Sequence, residues 1–358
     1  EYLPKDENAL IAQYIFITEN KAKLGEKNNL IYDKNYDSTY MRAHKKYHNT
    51  FDTILNNYGL YDIFLVNNMG DLVYTDFKEK DYATNLNSGV YANTGIARAY
   101  KKASDLKEGE IAFDDFNPYE PSYNSAASFI ATPIVKDGIK QGVLIFQMPV
   151  DKINYIMQFN GNFKKAGMGS SGEAYLVGSD FKMRSNSRFL NDIQDENVQA
   201  LKSTVGVWQV KTESTINVIE KSEDGQNIIK DYRGVKVFSS YAPINIFNKK
   251  WAIIIEKDEE EALKEVASLE QSMIITSVVV FVVILLISIF AISTLVIKQI
   301  DTFTNYLDSF LDFITYKSTK IDKVNIKSEK NEFSTMILKL NDAVDDFDSR
   351  LKKDMKVM

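Results

Sequence analysis

Asp114 and Asp115 stand side by side at the end of an otherwise apolar run, and Tyr119, Tyr123 and Ser128 follow closely. Upstream, Tyr74 and Asp76 close an earlier apolar stretch. Carboxylates and tyrosyl hydroxyls converging on an apolar cavity suit a small polar ligand, above all a cationic amine. The plainer reading is that the two aspartates cap a loop around Asn117-Pro118, a good turn sequence. His44 and His48 stand at i and i+4 with Asp52 one turn on, a spacing able to hold a metal on a helix face. Two histidines facing solvent or a neighbouring helix is the commoner outcome. Arg184 and Arg188 with Asp231 and Tyr232 make either a second pocket or an ion pair tying strand to loop. The stretch 167–172, GMGSSG, lacks the lysine of a phosphate-binding loop and any histidine partner, so it reads as linker.

Composition narrows the field. The 358 residues carry 43 basic and 49 acidic side chains, a net charge of -6, with no basic cluster. That balance points away from nucleic acid. The absence of cysteine excludes disulfides, thiolate metal sites and thiol nucleophiles. With two histidines and no kinase, cyclase or phosphodiesterase motif, the chain reads as a non-enzyme without a cofactor.

The elements that must position these residues repeat. A hairpin is predicted from strands at 61–66 and 71–75 around the Asn67–Gly70 turn, and another from 173–177 and 181–185 around Gly178-Ser179-Asp180. A short helix follows each, at 95–103 and 197–203. Strands are expected at 110–116, 125–135 and 142–150, then at 206–212, 234–244 and 251–256. Thr132-Pro133-Ile134 and Ala242-Pro243-Ile244 occupy matching places. The result is an α+β chain with a duplicated antiparallel sheet, the units meeting near 158–172. Ahead of them, 8–19 and 40–58 read as helices.

Residues 273–297 are apolar throughout apart from Ser and Thr and carry no charge, enough for a transmembrane helix. The polar, helix-forming stretch 258–272 is expected to run into it unbroken. Beyond it, Ile300, Phe303, Leu307, Phe310, Leu311 and Ile314 follow an a/d rhythm. So do Phe333, Met336, Leu340, Val344, Phe347 and Leu351, after a polar connector at 317–330. Two such helices suit a parallel four-helix bundle in a homodimer, or an ordinary amphipathic hairpin. The start, Glu1-Tyr2-Leu3, has no export signal, so a first membrane helix is expected to precede it.

Several strings carry a resemblance: 58–65 (YGLYDIFL), 70–75 (GDLVYT), 113–121, 127–133 (ASFIATP) and 172–177 (GEAYLV). With them, the chain resembles a bacterial methyl-accepting chemotaxis protein with a double Cache sensor. The tail from 300 to 347 is similar to a HAMP relay, without the proline usual after the span. The resemblance implies tandem PAS-like sheets. Residues 1–60 would pack as helices on the sensor, 61–158 would be the membrane-distal unit and 159–258 the membrane-proximal one. A juxtamembrane helix at 259–272, the span at 273–297 and signalling helices at 298–358 would follow. It implies a sensor outside the inner membrane, binding a small molecule in the distal unit. There Tyr74, Asp76, Asp114, Asp115, Tyr119, Tyr123 and Ser128 are the candidate contacts. A cytoplasmic chemotaxis kinase and its coupling protein would be partners through a part beyond Met358. The same sensor also serves histidine kinases and diguanylate cyclases, and recognition of a periplasmic binding protein is a further alternative. The Arg–Trp–Tyr pattern that clamps an amino acid's carboxylate is missing from the distal unit.

Overall fold

The computed structural model describes residues 3–326 and 331–355. Glu1, Tyr2, the end of the expected 317–330 connector and residues 356–358 lie outside the described residues. The chain divides into two compact units, Glu1–Lys264 and Glu265–Met358.

In the first unit, helix α1 (Glu7–Gln13) is capped by Asp6, whose carboxylate accepts the Ala9 N–H at 2.9 Å. It passes into a π-helical segment, Tyr14–Glu19, that turns Ile15 and Phe16 inward against Met41 and Tyr82. Helix α2 (Thr39–Tyr58) starts where Ser38 Oγ accepts the Met41 N–H and stops at Gly59, whose φ of 63° suits glycine.

Strands β1 (Asp62–Asn67) and β2 (Leu72–Thr75) form the first hairpin, and helix α3 (Gly95–Ser104) follows. Strands β3 (Ala112–Pro118), β4 (Ala126–Lys136) and β5 (Ile139–Gln147) complete an antiparallel sheet of order β2-β1-β5-β4-β3. Side chains alternate across its faces. Phe64, Val66, Ala127, Phe129 and Ala131 pack with Ile96, Ala99 and Tyr100 of α3. Phe113, Phe116 and Ile130 turn the other way, into a cluster with Leu176 and Trp251 of the second sheet. Each large ring buried there contributes about 1.5–3 kcal/mol.

Helix α4 (Val150–Met157) leads to strand β6 (Glu173–Val177), helices α5 (Glu196–Leu201) and α6 (Glu213–Lys221), then strands β7 (Gly225–Lys230), β8 (Lys236–Ile246) and β9 (Lys249–Asp258). Their order, β6-β9-β8-β7, repeats the first sheet without its outer strand. The strand expected at 181–185 is reduced to an isolated bridge, Val177 with Met183. Phe181 takes a left-handed φ of 61°, and the Met183 N–H goes to Trp208 O instead of a ladder partner. The strand expected at 206–212 is likewise only a bridge, Lys182 with Gln209. The third strand is β7.

The second unit is helical. Helix α7 (Glu259–Ile292) runs across the boundary between the units and is long and apolar enough to cross a membrane. A π-helical turn at Ser293–Ile297 and helices α8 (Lys298–Ile314) and α9 (Glu332–Met355) follow. Phe303 meets Phe333 at 6.4 Å and Phe313 meets Phe347 at 5.5 Å between ring centroids. Tyr306 and Phe313 of α8 and Ile337 and Val344 of α9 are buried, whereas Ile300, Leu311 and Met336 stay exposed.

Candidate functional site

Asp62 opens β1 on the α3 face. Register puts it beside Gln147, Gln147 beside Phe129 and Phe129 beside Asp114, one row across four strands. After β2 the chain reads Asp76-Phe77-Lys78-Glu79-Lys80-Asp81, which looks like a solvated loop. Instead Asp76, Lys78, Glu79 and Asp81 are all buried. Tyr61 and Ser122 donate their hydroxyls to Glu79, each at 3.2 Å, and Gln147 Nε2 donates to Ser122 Oγ at 3.0 Å. Tyr119 donates to Asp81 Oδ2 at 2.5 Å. Asp62 Oδ1 accepts the N–H groups of Ile63 and Asp76 at 2.7 and 2.8 Å.

Three oxygens of this set, Asp62 Oδ2, Asp76 Oδ1 and Asp81 Oδ1, are buried and accept no hydrogen bond. Buried acceptors are normally satisfied, so each invites a donor. Burial, then the neighbouring Asp81 carboxyl, pushes Glu79 up to about 8. Burial pushes Asp81 up to about 6. Asp62 is raised well above the usual carboxylate range by burial and then by Asp81, Glu79 and Asp76. A cation placed beside such a group would favour its ionised form. Lys78 is the nearby internal cation, and burial lowers it to about 7. Its ammonium lies among the rings of Phe16, Tyr74 and Tyr82, at 5.4, 4.2 and 5.2 Å.

The fold scatters the seven residues that the sequence groups. Tyr119 reaches the acids. Tyr123 lies half exposed at the rim with a left-handed φ of 58°, its phenol raised by burial and by Glu79. Tyr74 and Asp76 face α2: Tyr74 OH contacts His48 Nδ1 at 2.7 Å and donates to Asp76 Oδ2 at 3.0 Å. Asp114 is taken by Arg98 of α3, at 3.0 and 2.7 Å, with Lys102 at 3.7 Å. Asp115, next along the strand, points to the opposite face. It accepts Arg184 Nε and Nη2 at 2.9 and 3.0 Å and Trp251 Nε1 at 3.1 Å. Ser128 is buried with an unpartnered Oγ, and alternation with Ala127 and Phe129 puts it on that same opposite face. Nothing in the alternating-charge string marks Glu79 and Asp81 as buried, and Asp62, Ser122 and Gln147 join them only through the fold.

The other motifs resolve as packing. His44 and His48 stack at 4.4 Å, and the His48 ring nitrogens meet Tyr74 OH and Asn28 O. Burial holds His44 down at about 3. The expected pairing of Arg184 and Arg188 with Asp231 and Tyr232 does not form. Asp231 binds Arg233 at 2.6 Å and Tyr232 donates to Glu173 at 2.6 Å, because Asp115 claims Arg184. A groove of about 720 Å³ lies elsewhere, lined by Ala9, Ala12, Tyr40, Val73, Tyr82 and Val90. Its lining also carries Lys5, Asp6 and Asp71, of which Asp6 caps α1 and Asp71 binds Asn67 and Asn85.

The family model of the Cache domain matches residues 12–266, well over half of the chain. The chain belongs to the Cache domain family. As a Cache domain it has the antiparallel sheets and helices described above, with the acids on the α3 face of its first sheet. Three solved structures are similar to it. One is the ligand-binding domain of the Pseudomonas aeruginosa PAO1 amino acid chemoreceptor PctC in complex with GABA. It has 13% identity, 70% of this chain and 94% of that one covered, and a TM-score of 0.37. The ligand-binding domain of the Pseudomonas fluorescens chemoreceptor CtaA in complex with L-leucine has 14% identity, coverage of 72% and 85%, and a TM-score of 0.35. The extracellular domain named for the histidine kinase rpHK1S-Z16 has 11% identity, coverage of 71% and 91%, and a TM-score of 0.42. A comparison with curated proteins finds no match.

Proposed function

We propose that this Cache protein is a transmembrane chemoreceptor whose distal unit senses a small cationic amine outside the cell membrane. The observation that carries the ligand class is the buried trio Asp62, Glu79 and Asp81, two of whose oxygens have no donor. An ammonium there would supply both missing donors and the charge that burial otherwise suppresses. Binding would favour one of two arrangements, which requires different affinities for the two. The bias would pass through α7 to α8 and α9, read as HAMP-like helices of a homodimer, and on to a cytoplasmic kinase-control module. The exposed Ile300, Leu311 and Met336 support the dimer, since they leave apolar surface for a second copy.

The test is a thermal-shift titration of the full chain in detergent with primary mono- and diamines, matched alcohols and carboxylates. Amines alone should raise the melting temperature, and Asp81→Asn and Glu79→Gln should remove the response. A shift with the carboxylates but not the amines sinks the reading.

A further inference from the structure

The loop 169–171 grips a carboxylate on the first turn of α7. Glu261 Oε1 accepts the Ser170 N–H at 2.9 Å. Its Oε2 accepts the Ser171 N–H at 2.7 Å and the hydroxyls of Ser170 and Ser171 at 2.9 and 2.5 Å. Ser171 Oγ in turn accepts the Asp258 N–H at 3.2 Å. Gly169 has a left-handed φ of 57°, and a Cβ there would collide with Glu261 Oε1. Glycine and two serines are what this contact needs.

Arg188 braces the loop from behind. Its guanidinium donates to Gly169 O at 3.0 Å and to Gly172 O, and lies 3.9 Å over the Phe163 ring. Four residues earlier Arg184 is held in the bidentate grip of Asp115, which comes from the first sheet. One short segment, 184–188, therefore joins β3 to the loop that holds α7. Asp115 belongs to the same strand that ends beside Tyr119 and the acid trio. The two ends differ in kind. The Asp115–Arg184 pair is buried and hard to break, whereas Ser170 is exposed and its bonds to Glu261 can be exchanged for water at small cost.

We infer that residues 169–171 are a latch that holds the start of α7 in one of two positions, its strength set by Asp115 through residues 184–188. The latch goes beyond the amine reading and stands whichever ligand the distal unit takes. It needs only that α7 be the element that moves.

Hydrogen exchange of the full chain in detergent, read by mass spectrometry without ligand, tests it separately from any titration. Glu261→Gln and the Ser170→Ala/Ser171→Ala pair should speed exchange of residues 259–264 about tenfold, as a local opening predicts. Glu260→Gln, which removes the same charge from an exposed neighbour, should leave it unchanged. Asp115→Asn should also speed exchange at 168–172 and 259–264, and adding Glu261→Gln to it should give less than the product of the single effects. If Glu261→Gln behaves like Glu260→Gln, there is no latch. If the Asp115 and Glu261 effects multiply in full, the coupling is wrong. Should Asp115→Asn fail to fold, Trp251→Phe, which removes the Nε1–H donor and keeps a smaller ring in the cluster, takes its place in the same cycle.

Discussion

Glu79 and Asp81 are carboxyls whose charged forms the fold disfavours, and that sets the sign of their pH dependence. The folded state holds Glu79 protonated up to about 8, whereas the unfolded chain releases the proton near 4.5. The contribution of Glu79 to stability is therefore greatest below 4.5 and is lost as pH rises through the folded value. Lowered histidines and Lys78 act in the opposite direction, so the difference between variant and wild type is the clean measure. Glu79→Gln should melt with the wild type at pH 4 and above it at pH 8, the gap widening across that window. A constant gap would place Glu79 in water. For ligand binding the sign reverses: an ammonium needs ionised acids, so its affinity should fall as pH drops toward 6, where Asp81 also takes up its proton. Tyr119, a candidate contact from its neighbours in the sequence, reaches Asp81. The acids were not legible there, since burial of Asp76, Lys78, Glu79 and Asp81 comes from tertiary packing over the sheet and leaves no local mark.

Among the elements, β3 carries two adjacent acids that alternation sends apart, Asp114 to α3 and Asp115 to the second sheet. Asp115→Ala leaves buried Arg184 only the half-exposed Asp180 as an acid partner, at 2.9 Å, so it should cost about 1–3 kcal/mol and lower the urea midpoint. Replacing both, Asp115→Leu with Arg184→Met, should cost less than either single change. Equal or additive losses would mean that Asp115 and Arg184 do not act as a buried pair. The first sheet was legible because its apolar runs have strand length and its first turn carries Asn67, Asn68 and Gly70. The second was harder to read. β7 exposes Gln226, Asn227 and Ile228 and buries only Ile229, so it shows no alternation. α6, with its Thr, Ile and Val content, looks strand-like until the Thr212–Thr215 capping box starts it as a helix.

For the molecule as a whole, the account needs a span, a dimer and an occupied distal site. The apolar run of α7 was plain in the sequence, because lipid demands length and the absence of charge, both local properties. The helical seam was read only in part. Phe303 and Phe313 pack on α9 within one chain, leaving Ile300 and Leu311 outward. As the chain has no native cysteine, Ile300→Cys in membranes should form a disulfide-linked dimer on mild oxidation. A monomer under those conditions would remove the four-helix arrangement. The central claim is that the acids of the distal unit receive a cation. Isothermal titration of the full chain with the best-shifting primary amine, at pH 6, 7 and 8 in buffers of differing ionisation heat, addresses it directly. The account predicts proton release on binding, affinity rising with pH, and loss of binding in Asp81→Asn. Binding that is pH-independent and unchanged in that variant would contradict it.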